Sequence, residues 1–233
     1  MKQVAIPCAG HSYAIAADWY EGTSDRVMLV LPGWTSSKKS YEELVRYIVE
    51  RTGMSALIID YSGHGESPLD AMEVRPAQQF LEAIEAFDWA GQRLPGAEFT
   101  VMGASYGGYL AAKLTEYRDF ANLILRVPAI YEPVDFYSLN KDINRQDERG
   151  YRKGVAFLEN HPLFMSASQF KGRTLVMWSE FDEFVPKEAT DKYIEAFRAD
   201  SYFAKGWKHS FKVDAPEAEK NAYRDAIVHW LVE

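Results

Sequence analysis

Apolar residues follow two alternating rhythms along the chain. Short unbroken runs occur at 27–31, 56–59, 99–102 and 174–178, and a fifth at 123–127 is interrupted by Arg126. Unbroken runs of this length fit strands covered on both faces, as in a parallel sheet. Between them the apolar positions recur with helical spacing. Residues 41–51 set Leu44, Tyr47 and Ile48 on one face, and 77–90 does the same with Phe80, Leu81, Ile84 and Phe87, with Pro76 suited to the first turn. Further helical patterns cover 109–117, 187–198 and 216–232. Strands alternating with helices require crossover connections, which predicts an α/β fold: a mainly parallel sheet with helices on both faces. Segments 2–6 and 13–17, joined through Gly10, predict an antiparallel hairpin at one edge.

One stretch breaks the rhythm. Residues 129–169 hold no strand run and mix charges with aromatics, among them Tyr131, Phe136, Tyr137, Tyr151, Phe157 and Phe164. A connection of that length in an α/β domain commonly forms a lid. The expected organisation is a core of residues 1–128 and 170–233 with a small helical cap at 129–169.

Residues 99–108 read FTVMGASYGG, a buried strand running into Gly103-Ala104-Ser105-Tyr106-Gly107 with a helical pattern directly after. This is a G-x-S-x-G nucleophile elbow in its strand–turn–helix setting. The sharp turn lifts the Ser105 hydroxyl clear of the strand end. The helix that follows offers unpaired N–H groups and the positive end of its dipole to a developing oxyanion.

A serine hydroxyl needs a base, and the base needs an orienting group. Of the five histidines, His11 lies in the early turn, His161 in the cap segment and His229 inside the last helical pattern, while His64 precedes the serine. His209 sits in a loop between a short strand at 201–206 and the last helix, and it follows the candidate acids, the order this elbow predicts. Asp182 lies just beyond the 174–178 strand, on the sheet rim where ligands of parallel sheets bind. Glu180 and Glu183 are rivals that position alone does not separate from it.

Composition narrows the classes. The 233 residues are 47% apolar, with 15 Gly and 10 Pro, which excludes a disordered or low-complexity chain. A net charge of −8 argues against nucleic acid or an anionic membrane as partner. One cysteine, Cys8, forms no intrachain disulfide, and residues 1–20 show no signal-peptide pattern, so a cytoplasmic location is expected. Cysteines and histidines are too few at ligand spacing to predict a metal site. Nothing in the pattern sets the oligomeric state.

Over nearly its whole length the sequence resembles the α/β-hydrolase superfamily. Leu31-Pro32-Gly33-Trp34 is similar to the oxyanion-hole loop, with Pro32 where histidine is usual. Asp60-Tyr61-Ser62-Gly63-His64-Gly65-Glu66-Ser67 is similar to the D-x-R-G-H-G-x-S turn, with Ser62 where arginine is common and His64 a structural residue. Residues 179–186 are similar to the G-x-x-D-x-x-V-P loop, which places the acid on Asp182. Lys208-His209-Ser210-Phe211 matches the histidine loop, and residues 103–109 echo the prolyl-oligopeptidase branch.

The resemblance implies a serine hydrolase with Ser105, Asp182 and His209 as triad and the backbone N–H groups of Trp34 and Tyr106 as oxyanion hole. No cofactor is implied, and the expected partner is a small-molecule ester. Tyr131, Tyr137 and Phe157 of the cap are expected to contact an apolar or aromatic substrate. Arg126 is expected in an internal salt bridge or on a substrate carboxylate. The alternatives are a peptidase or amidase acting on short acyl-aminoacyl substrates and a non-catalytic binding protein on the same fold.

Overall fold

The apolar runs become the inner strands of an eight-stranded sheet. The computed structural model describes residues 1–144, 148–154, 158–210 and 215–233. Its strands are β1 (Lys2–Pro7), β2 (Ala14–Tyr20), β3 (Arg26–Leu31), β4 (Ser55–Ile59), β5 (Glu98–Ala104), β6 (Asn122–Arg126), β7 (Arg173–Phe181) and β8 (Asp200–Lys208). They lie in the order β1-β2-β4-β3-β5-β6-β7-β8. β1 and β2 form the antiparallel edge hairpin and β2 joins β4 antiparallel; from β4 to β8 all pairs are parallel.

Strand alternation divides the core in two. Val27, Leu29 and Leu31 of β3 face one layer, packed with α2 (Pro76–Arg93), α3 (Tyr106–Leu114) and α6 (Lys187–Phe197). Met28 and Val30 face the other, packed with α1 (Glu42–Thr52) and α7 (Glu217–Val232). Among the described residues, the segment between β6 and β7 holds two short 3-10 turns and the helices α4 (Glu148–Lys153) and α5 (Pro162–Ala167). Its Tyr131, Phe136, Leu163 and Phe164 join the first layer, so this segment extends the α2–α3–α6 side of the core.

β7 and β8 are longer than the apolar pattern predicts. They stay paired past a register shift between Ser179 and Phe181, and Phe181 ends opposite Lys208. The residues that follow this pair are Asp182 and His209. No described helix is long and apolar enough to cross a membrane.

Candidate active site

Ser105 stands between β5 and α3 with φ 51° and ψ −114°, a conformation that a non-glycine residue adopts at a cost. The turn is held from several sides. Its N–H donates to the Arg126 carbonyl (2.9 Å), and its carbonyl accepts from Tyr109 and Ala129 (3.1 Å each). Glycines 103 and 107 are required by space: a Cβ on Gly103 would overlap the backbone of Gly107, and one on Gly107 would overlap the carbonyls of Leu31 and Pro32. Val127 also has a positive φ of 42°, unusual for a β-branched side chain, where the chain bends from β6 back across the elbow.

The three carboxylates of the acid loop separate cleanly. Both Asp182 oxygens lie within 2.8 and 2.9 Å of His209 Nδ1. Asp182 Oδ1 also accepts from the N–H groups of Phe184 (2.9 Å) and Val185 (2.7 Å), which fixes the carboxylate's orientation. Glu180 instead accepts from the Gly206 N–H (2.7 Å), and Glu183 from the His209 N–H (3.3 Å). The two rivals hold backbone while Asp182 holds the imidazole. Side-chain exposure is 6% for Asp182 and 13% for His209, so water competes little with that pair.

Ser105, His209, Gly33 and Trp34 line one cavity of about 490 Å³. The loop carrying Trp34 is pressed against the elbow: a Cβ on Gly33 would stand 3.5 Å from Ser105 Cβ. The rings of Trp34 and Tyr106 meet edge to face at 5.6 Å, and Trp34 packs on His64 at 4.8 Å. Beneath them Tyr106 Oη donates to Gln79 Oε1 (2.6 Å), Gln79 Nε2 donates to the Ser62 carbonyl (2.9 Å), and the Ser62 N–H donates to Glu82 (2.8 Å). Burial raises the Glu82 carboxyl above its ordinary range. This network ties the turn at His64 to both residues proposed for the oxyanion hole. A hydroxyl on such an elbow, with a carboxylate-oriented imidazole on the same cavity, can attack a carbonyl carbon.

The described cap residues lie away from this cavity. None of the described residues of 129–169 lines the cavity that holds Ser105. Tyr131 is buried, its ring packed on Tyr106 (5.7 Å) and Tyr109 (5.3 Å). Its carbonyl is bound by His161 Nε2 at 2.8 Å, and His161 Nδ1 caps α5 by accepting from the Leu163 N–H. Tyr137 is 71% exposed and meets Phe136 edge to face. Phe157 lies outside the described residues. Packing against α3 and a hydrogen bond to His161 therefore hold Tyr131.

The opposite wall comes from α1 and α7. Tyr41, Glu43, Leu44, Lys220 and Arg224 line it, together with Arg126. Arg126 shares the parity of Ile124 along β6, so it points to the α7 layer, where Nη2 donates to the His209 carbonyl (3.3 Å) and the guanidinium lies 5.7 Å from the Tyr223 ring. Arg126 stands out in the sequence as a charge interrupting a strand run, whereas Arg224 does not. The signal for the latter is an arginine beside Tyr223, Ile227 and Val228 on the apolar stripe of the last helix.

Residues 22–146 match the model of a family described as serine aminopeptidase, S33. No curated protein sequence matches the chain. Among solved structures, Est1E from Butyrivibrio proteoclasticus, with ferulic acid bound, is 16% identical, with 98% of each chain covered and a TM-score of 0.73. A Pyrococcus furiosus esterase is 17% identical over 99% of this chain and 89% of its own, with a TM-score of 0.74. A monoacylglycerol lipase from Paleococcus ferrophilus is 17% identical over 94% of this chain and 98% of its own, with a TM-score of 0.71. At these identities the likeness is one of fold.

Proposed function

The chain belongs to the serine aminopeptidase S33 family and is a hydrolase of the α/β-hydrolase fold; from that premise we propose that it cleaves carboxylic esters through an acyl-enzyme on Ser105. The observation that carries this reading is the His209–Asp182 pair at 2.8 Å on the cavity that Ser105 also lines. Ser105 Oγ attacks the ester carbonyl while His209 Nε2 takes its proton. Asp182 holds the imidazole tautomer through Nδ1 and stabilises the imidazolium. The N–H groups of Trp34 and Tyr106 receive the oxyanion. His209 returns the proton to the departing alkoxide, then deprotonates a water that frees the acid from Ser105. No cofactor enters this sequence.

The family's description favours a second reading, an aminopeptidase. Such an enzyme must accommodate the substrate's α-ammonium group close to the scissile carbonyl. Lys39, Arg126, Lys220 and Arg224 line the cavity, and among the described residues only Glu43 opposes them there. Like charges at such range disfavour an ammonium, which supports the ester.

Labelling with a fluorophosphonate followed by peptide mass mapping tests the nucleophile. A panel of p-nitrophenyl esters beside aminoacyl-p-nitroanilides tests the substrate class. The expected result is a label on Ser105 and turnover confined to the esters. An unlabelled Ser105 would remove the serine mechanism, and preferential anilide cleavage would install the aminopeptidase.

A further inference from the structure

The cavity beside Ser105 carries the opposite sign of charge from the chain as a whole. The protein's net charge is −8, yet Lys39, Arg126, Lys220 and Arg224 converge on this one cavity. Compensation is partial. Arg224 is held by Glu43 (2.6 Å) and Glu217 (2.7 Å), and Lys220 lies 3.8 Å from that same Glu217. Arg126 is 5% exposed; it hydrogen-bonds to the His209 carbonyl and the Tyr223 hydroxyl, both neutral, and feels Asp182 across His209. Among the described lining residues four are cationic and one, Glu43, is a carboxylate, while Glu217, Asp182 and Glu183 stand behind that surface. A concave, partly apolar wall concentrates that field and draws in anions.

Structural ties explain two of the four. Arg224 joins α7 to α1 through Glu43, and Arg126 supports the histidine loop. Neither role calls for Lys39, which is exposed on the rim, or for turning Lys220 inward. Trp34, Tyr41 and Leu44 supply apolar wall in the same cavity. At about 490 Å³ the cavity suits a small ligand. We infer that it takes esters carrying an anionic end group, a carboxylate or a phosphate, separated from the scissile carbonyl by a short apolar spacer. Arg126 with Lys39 and Lys220 binds the anion while Ser105 attacks the carbonyl. The inference rests on the ester-hydrolase reading.

The test compares p-nitrophenyl hydrogen glutarate with neutral p-nitrophenyl pentanoate, and a third ester whose acyl chain ends in a phosphonate. The anionic esters should exceed the neutral one in kcat/KM by about tenfold at low salt, an advantage that shrinks as ionic strength rises. The better of the two anions identifies which end group the site is built for. In the Lys39→Gln/Lys220→Gln double variant the anionic-to-neutral ratio should fall by about tenfold, through KM rather than kcat. A ratio near one in the wild type, or one unmoved by the double variant, overturns the inference while neutral-ester turnover leaves the hydrolase reading standing. If no ester is cleaved and Ser105 is not labelled, the hydrolase reading falls. Calorimetry of glutarate with the Ser105→Ala protein then decides the anion site alone: salt-sensitive binding retains it, and no binding removes it.

Discussion

On the α3 side of Ser105, Tyr131 packs edge to face against Tyr106 and Tyr109, and His161 holds the Tyr131 carbonyl. On the α1–α7 side, Tyr41, Leu44, Lys220 and Arg224 stand around open space. A cavity of about 200 Å³ does exist in the first region, but Glu132, Asp135, Asp142 and Glu148 line it and Ser105 does not. The cap-side cavity is walled by carboxylates and the rings of Tyr131 and Tyr151, whereas the cavity that Ser105 lines is walled largely by cations. Rings pack well against one another, at about 0.5–1.5 kcal/mol beyond their burial for each good pair, so a ring-rich segment tends to close on itself. Cations repel one another and keep water, which leaves room for a ligand.

The largest expected effect falls on the hydroxyl common to both sides. Ser105→Ala should lower kcat by on the order of 10⁶ with an unchanged thermal melt; residual turnover near wild type would mean that neither side flanks the reacting group. Next comes the acid. Asp182→Asn should lower kcat by on the order of 10⁴, as when the orienting carboxylate of a serine triad becomes an amide. Glu180→Gln and Glu183→Gln, which keep an amide oxygen to accept the same backbone N–H groups, should each cost less than about tenfold. Comparable losses at all three would undo the separation made by the hydrogen bonds.

Two substitutions set the sides against each other. Leu44→Phe narrows the open cavity and should shift the butyrate-to-acetate ratio of kcat/KM by about tenfold, within the range that one or two methylenes command in an apolar pocket. Tyr131→Ala should instead cost about 3–5 kcal/mol in urea unfolding, the usual loss for a large buried ring, and leave that ratio within about twofold. The reverse pattern would make the cap the acyl pocket.

The smallest effect is a pH dependence confined to the packed side. Burial lowers the His161 pKa from its ordinary 6.5. Below about 6.5 the unfolded chain binds a proton that the folded chain refuses, so stability falls as pH drops from there through the lowered value. His161→Asn retains an oxygen to cap α5 but does not titrate. Its urea midpoint should therefore change less between about pH 7.5 and about pH 5.5 than that of the wild type. Equal slopes would show that protonation of His161 is not coupled to this packing.

Some of this was legible because local rules act on neighbours in the chain. Unbroken apolar runs reported strands covered on both sides, and helical spacing reported the faces of α1 and α2. Gly103 and Gly107 reported an elbow, since the crowding that excludes a side chain there arises from the turn and its nearest layers. The acid required more. Glu180, Asp182 and Glu183 differ little as sequence, and they part only because β7 and β8 stay paired, through a register shift after Ser179, until Phe181 faces Lys208. That pairing delivers Asp182 to His209 and leaves the glutamates to the backbone of the neighbouring strand.

The chain's own pattern determined the alternation of strand and helix, the position of the elbow and the sign of the net charge. Each depends on residues close in sequence or on composition alone. Tertiary structure decided which side of Ser105 stays open. Lys39, Arg126, Lys220 and Arg224 come from a 3-10 turn, a strand and a helix far apart in the chain, and they meet only because β6 turns Arg126 toward the layer where α7 packs beside α1. A run of aromatic residues is visible in one dimension; whether it lines a cavity or fills one depends on the partners that folding brings to it.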